Sequence, residues 1–261
     1  MRTRTARGAL AAITAVTVLG GAAQAQAAAP AGNNAGKSDP AATPAAYSNY
    51  LRHSDEPGAD KALAQFKSLT SAQQTKFVGY LHDPEVLRSF IDVAAAQGSG
   101  LSTKALNTKS TTSLRNGDVT IGQESAVTGV AASAKKKLGK GPHTVKYNAY
   151  VKYFGVKVIK MSLWVNFKSN GHDITKVTSA GAGKINLSGV ISLSHTTPKK
   201  ARTWWRWCPK GKPCSSGHFA EASVIWEGNI AFKGSMFQID KKQWMQADIY
   251  GKVSNRSLTN V

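Results

Sequence analysis

Apolar positions follow two different periods along this chain. Between Tyr47 and Gln97 they recur at helical spacing, and from His143 onward they alternate with polar residues. In the first region Leu63, Phe66 and Leu69 share a face. Thr70 or Ser71, followed three residues on by Gln73 or Gln74, forms an N-cap with its capping-box partner. That start makes Phe77, Val78 and Leu81 the buried stripe of the next helix. Asp83-Pro84-Glu85 is a second start signal, with Asp as N-cap, Pro at the first helical position and an acid in the first turn. Val86, Phe90, Ile91 and Ala94 continue that helix until Gly98. About fifty residues of short helices bury little apolar surface alone, so the segment 47–97 is either a small helical module or a lid packed on the rest of the chain.

In the second region Val145, Tyr147, Ala149, Val151 and Tyr153 share one strand face. The parity then slips to Phe154, Val156 and Val158 around Gly155, and returns with Ile159, Met161, Leu163, Val165 and Phe167. A glycine at such a slip predicts a bulge or bend. Asn170-Gly171 is the strongest short hairpin signal in the chain. Further alternations run through Ile185–Leu193, Ala220–Phe232 and Met245–Val253, with weaker ones at Ile174–Thr178 and Thr203–Cys208. The expected fold class is α+β: a short N-terminal helical segment, then about seven mainly antiparallel strands in a sandwich or curved sheet at 143–261. Between them, 98–142 is a Ser/Thr/Gly/Lys-rich connector, mostly irregular. Arg115-Asn116-Gly117-Asp118 is turn chemistry within it, Val119–Thr128 has room for a strand or two, and Lys135-Lys136-Lys137 is a solvated basic run.

The N-terminus changes where this fold is expected to work. Arg2, Arg4 and Arg7 precede an apolar run from Ala9 to Leu19, followed by overlapping A-x-A frames ending at Ala25 and Ala27. Residues 1–27 are therefore expected to be a secretory signal peptide, and 28–46 an Ala/Pro-rich disordered spacer. No later apolar run offers an anchor, so the protein is expected to be secreted. Export to an oxidising compartment predicts that Cys208 and Cys214 form a disulfide.

Charge adds a class of partner. Thirty-four Lys and Arg against fourteen Asp and Glu give a formal charge of +20. Residues 46–97 hold five cations and six anions, whereas 143–261 hold eighteen and five. A basic domain of this kind attracts nucleic acid, anionic wall polymers or anionic lipid headgroups.

The densest concentration is Pro198–His218, PKKARTWWRWCPKGKPCSSGH. The candidate ligand-binding residues there are Lys199, Lys200, Arg202, Trp204, Trp205, Arg206, Trp207, Lys210 and Lys212. Arg202, Trp204 and Arg206 share one strand parity, and Thr203, Trp205 and Trp207 the other. Elsewhere the polar strand faces also mix aromatics with cations: Lys146, Tyr150 and Lys152; Lys160, Trp164 and Lys168; Lys242, Trp244 and Tyr250. Trp164 and Trp244 are accordingly added as candidates. Cations supply Coulomb attraction while flat rings stack on sugars or bases or sit at a headgroup boundary. The competing expectation is that the helices cover these faces, or that lysine stems cover single rings.

No nucleophile elbow, zincin, P-loop or dinucleotide motif is present. Cys208, Cys214, His218 and Glu221 imitate a zinc set, but at unusual spacing and in a compartment that favours the disulfide. Glu221 and Glu227 are about 20 Å apart along a strand, too far for a glycosidase pair, and Asp240 and Asp248 have no support. His195 or His218 with a neighbouring Lys would suit a nuclease. No catalytic residue, metal or cofactor is assigned. The expected function is a non-enzymatic secreted protein that binds an anionic polymer or cell-envelope surface. One alternative is a secreted toxin acting on anionic membranes or RNA. Another is a protease inhibitor presenting Lys210 or Lys212 on the Cys208–Cys214 loop.

Overall fold

Residues 39–96, 109–128, 136–211, 213–232 and 235–260 are described in a computed structural model of the chain. The expected signal peptide, Lys135 of the basic run and Lys212 fall outside them. Four helices come first: α1 (Pro44–Arg52), α2 (Ala59–Lys67), α3 (Ser71–Leu81) and α4 (Pro84–Ala96). Thr70 closes its capping box as read from the sequence, its hydroxyl accepting from the Gln73 amide while the Gln73 side chain accepts from the Thr70 amide. Asp83 Oδ1 accepts from the Glu85 amide at 2.9 Å, with Pro84 opening α4. The spacer ends sooner than expected. Ala41 is fully buried and Asp39 pairs with His82 at 2.7 Å, so the chain is already part of the fold at 39–46.

Among the described residues ten strands come next, in two antiparallel sheets. Sheet A is a meander of β1 (Lys109–Leu114), β2 (Val119–Thr128), β3 (Lys140–Tyr153), β4 (Val156–Asn170) and β5 (Ile174–Asn186). Sheet B contains β6 (Ile191–His195), β7 (Lys199–Trp207), β8 (Ser215–Phe232), β9 (Ser235–Ala247) and β10 (Val253–Asn260). The connector expected to be mostly irregular thus supplies the first two strands of sheet A: β2 occupies Val119–Thr128, where a strand was expected, and β1 was not expected. Order in sheet B runs β10-β9-β8, and the free edge of β8 is shared by β6 and β7 in succession.

Three alternations in the sequence turn out to contain chain reversals. Phe154 and Gly155, at φ 47° and 83°, make the two-residue turn between β3 and β4, the geometry that hairpin twist favours. The bulge falls instead at Val158, which is skipped between the Val151–Ile159 and Lys152–Lys157 pairs. Ile185–Leu193 is not one strand: β5 ends at Asn186 and β6 begins at Ile191 in the other sheet. Asn186 holds that crossing by donating to the Ile191 carbonyl at 2.6 Å and accepting from the Ser188 hydroxyl at 2.8 Å. Met245–Val253 likewise spans a turn, in which Asp248 Oδ1 accepts from the Tyr250 and Lys252 amides. Asn170-Gly171 does form a hairpin connection, with Asn170 Oδ1 accepting from the His172 and Asp173 amides.

One core joins these parts, and Ser38–Val261 forms a single compact unit. Val145, Tyr147, Leu163 and Val165 of sheet A face it, as do Ala222, Val224, Trp226 and Met245 of sheet B. The helices do not lie on either polar strand face. They gather at one end of the sheets, where Tyr47 packs on Phe66 and Phe77, and Phe77 on Tyr153. The Tyr47 hydroxyl donates to the Leu187 carbonyl at 2.7 Å, and burial pushes its pKa far up. Helix α4 sets Leu87 and Phe90 beside Met161 and Trp226, one from each sheet. The opposite end is left to turns and to the β7–β8 hairpin.

Candidate binding hairpin

The hairpin is defined by where its neighbour stops. Pairing of β8 with β9 ends at Ala220–Ala247, whereas β7 and β8 stay paired for five more residue pairs, from Thr203–Phe219 to Trp207–Ser215. A two-stranded ribbon of about 17 Å therefore runs past the sheet. Its end is closed by the Cys208–Cys214 disulfide, with a Cα–Cα distance of 4.1 Å. Closing so short a loop contributes about 2 kcal/mol by chain entropy, and its principal effect is to keep the tip closed. The disulfide expected from the sequence thus uses both sulfurs of the zinc-like set, and Glu221 accepts from Thr203 at 2.5 Å and from Gln246.

Three contacts fasten the base of the ribbon to the β4–β5 turn and the start of β5. Asp173 accepts from the His218 amide at 2.9 Å and pairs with His218 Nδ1 at 2.6 Å. Arg202 donates to the Thr175 carbonyl and Lys200 to the Thr178 carbonyl. Burial alone would raise the Asp173 carboxyl, but the hydrogen bonds from His218 and the Ile174 amide, with the His218 charge, hold it below the usual range. Lys200 and Arg202, expected to be free ligand contacts, are thus committed to backbone carbonyls as well as contributing charge. Carbonyls at a strand start need donors, and these two long cations supply them.

Beyond the base the two faces separate as their parity predicts. Trp204 and Arg206 lie on one face with His218 and Ser216 opposite them in register. Trp205 and Trp207 lie on the other, opposite Gly217 and Ser215. Trp204 and Trp207 are 60% and 63% exposed, and they are the exposed large hydrophobics among the described residues. Trp205 is not equivalent to them. It is half-buried, stacked on Phe219 at 5.8 Å, and lies over Gly217, where an added Cβ would come within 3.3 Å of its Nε1. Lys199, Arg206 and Lys210 are exposed, and Arg206 approaches Cys214 Sγ at 3.7 Å.

The two remaining tryptophan candidates are not part of this cluster. Trp244 is half-buried on the outer face of sheet B, opposite Ser223 and in line with Lys199. Trp164 lies on the outer face of the other sheet, flat over Gly181, with the Lys146 ammonium 5.3 Å from its ring. Tyr150 repeats the arrangement over Gly122 beneath Lys152 and Lys157, at 5.4 and 5.1 Å, and is 2% exposed. Lysine ammonium groups therefore stand over both rings; Tyr150 is buried, and Trp164 is half-buried against its own sheet. Asp240 stands opposite Glu227 across β8–β9, Glu227 accepting from Ser194 at 3.2 Å and Asp240 from Gln238 at 3.1 Å. Among the described residues no group of three or more His, Cys, Asp or Glu is placed to hold a metal.

Which tryptophans are exposed could not be read from the sequence, because it depends on where β9 ends. No protein-family model, curated protein or solved structure matches this chain.

Proposed function

We propose that this is a secreted, non-enzymatic binding protein whose basic β domain holds an anionic polymer or cell-envelope surface through the β7–β8 hairpin. The observation that carries the reading is the pair of exposed rings, Trp204 and Trp207, beside Arg206 and Lys210 on a disulfide-closed ribbon beyond the sheet. Exposed tryptophan keeps apolar ring surface in water, and contact with a ligand that removes that surface from water is favourable. Residues 199–218 contain six Lys or Arg and no acid, so the same ribbon attracts anions.

Co-sedimentation with bacterial cell walls across a salt series tests this, using intact walls beside walls stripped of anionic polymer. Binding to intact walls should weaken steeply as salt rises, because exposed charges are screened within about 8 Å at physiological ionic strength. Arg206→Ala with Lys210→Ala should reduce it without changing the unfolding midpoint. Binding that is indifferent to salt, or to these substitutions, would refute the reading.

A further inference from the structure

The placement of the two exposed rings narrows the class of anionic partner. Trp204 and Trp207 are three residues apart on one strand, so they project from opposite faces of the ribbon. A polymer or nucleic-acid strand that stacks on a sheet uses one face. Two rings on opposite faces are engaged together only by a medium that surrounds the tip. Resting on the reading above, we infer that the hairpin tip enters the headgroup region of an anionic lipid bilayer, with one tryptophan on each side of the ribbon.

Four features fit that partner. Tryptophan is suited to the boundary between apolar and hydrated layers, its ring in one and its N–H in the other. Arg206 lies between the two rings along β7, Lys210 lies in the closed loop just beyond Trp207, and both are exposed to meet the phosphates. The disulfide keeps both strands paired up to the tip, so little ordering cost falls on binding. Depth is limited by the backbone. Past Ala220 the ribbon has no third strand, so, apart from the His218 amide that Asp173 holds, the outer edges of β7 and β8 face no ladder partner among the described residues. Open strand edges are not tolerated in hydrocarbon, and the tip therefore stops in the interface. No helix among the described residues is long and apolar enough to cross a membrane.

The test uses the full chain with three probes: vesicles of phosphatidylcholine, vesicles of phosphatidylcholine with about a third phosphatidylglycerol, and soluble polyphosphate. Partitioning onto the anionic vesicles should fall about fivefold for Lys210→Ala, the loss expected for one cation near an anionic surface. It should fall roughly tenfold for Trp204→Ala with Trp207→Ala, as exposed ring surface is no longer removed from water, and by an intermediate factor for each single change. Lipids brominated near the headgroup should quench emission in the wild type, and the quenching should disappear in the double variant. Unfolding midpoints of the variants should match the wild type, since neither ring belongs to the core. Binding of polyphosphate alone, with only one tryptophan contributing, would overturn the lipid assignment and leave the broader reading standing. Binding of neither probe would overturn both. Vesicle binding unchanged in the double variant would place the contact elsewhere and overturn the inference.

Discussion

Gly181→Ala should destabilise the protein when Trp164 is present and stabilise it when Trp164 is absent. A methyl group at 181 would stand 2.3 Å from Trp164 Cζ2, 2.4 Å from Cε2 and 2.6 Å from Nε1. Ordinary carbon contacts are ~3.5–4.0 Å, so the indole must retreat by more than about 1 Å. Retreat lifts it from Gly181 and Gly183 and disturbs the Lys146 contact at 5.3 Å. Overpacking of this kind costs about 1–3 kcal/mol. Because Trp164 is half-buried and has room on its solvent side, about 1–2 kcal/mol is expected here. Position 181 has ordinary strand backbone with no positive φ. In a Trp164→Ala background alanine should therefore gain about 0.5–1 kcal/mol over glycine through reduced chain entropy. The four proteins of the cycle are compared by urea unfolding followed by far-ultraviolet circular dichroism, which does not depend on the deleted indole. The expected coupling is about 2 kcal/mol, within the range for residues in contact. An equal effect of Gly181→Ala in both backgrounds would refute the idea that Trp164 is held flat on the sheet.

Two further predictions concern acids in turns. Asp173 has a folded pKa below its ordinary 3.8, so its contribution is complete above about pH 4 and is lost as pH falls through the lower folded value. Unfolding midpoints measured from about pH 2 to about pH 6, a span that brackets this loss, should drop more for the wild type than for Asp173→Asn; parallel profiles would contradict the pairing with His218. Asp248 behaves oppositely, burial raising its carboxyl against the opposing Tyr250 and Lys252 amide bonds and the Lys252 charge. Both amide bonds use Oδ1, which asparagine retains as its amide oxygen. Asp248→Asn should leave stability near pH 7 equal or higher, with the gain vanishing below about pH 4, where the aspartate is protonated in both states. A clear loss near neutral pH would show that the charge itself holds the turn.

Long amphipathic elements were legible from the sequence, and short or reversed ones were not. The buried faces of β3, β4 and β8, the Thr70 capping box and the Asp83-Pro84 start all follow from spacing alone. Strand β1, KSTTSL, was invisible because it is an edge strand with no buried side chain. The Ile185–Leu193 alternation misled for a physical reason. Both sheets present apolar faces to one core, so the pattern passes unbroken through a crossing that Asn186 and Ser188 stabilise by side-chain hydrogen bonds. At Met245–Val253 the signal was available: Asp248 and Gly251, the latter at φ 74°, are turn residues inside the run. The parity of the Trp-rich segment was read correctly. Its division into two free rings and one held ring was not, since Gly217, Phe219 and the end of β9 decide it from elsewhere in the chain.

Strand β8 also has a mechanical meaning. Its eighteen residues, Ser215–Phe232, form one uninterrupted beam of about 60 Å. The outer part carries the disulfide-closed tip, and the rest is clamped by β9 on one side and by β6 and β7 on the other. A pull along the hairpin axis loads the β8–β9 ladder in shear, so its hydrogen bonds share the force rather than opening one at a time. A sideways push is instead taken at the base, where Asp173, Thr175 and Thr178 act as a bracket. If the tip holds a surface as proposed, tension on it is carried by the β8–β9 ladder rather than by the core.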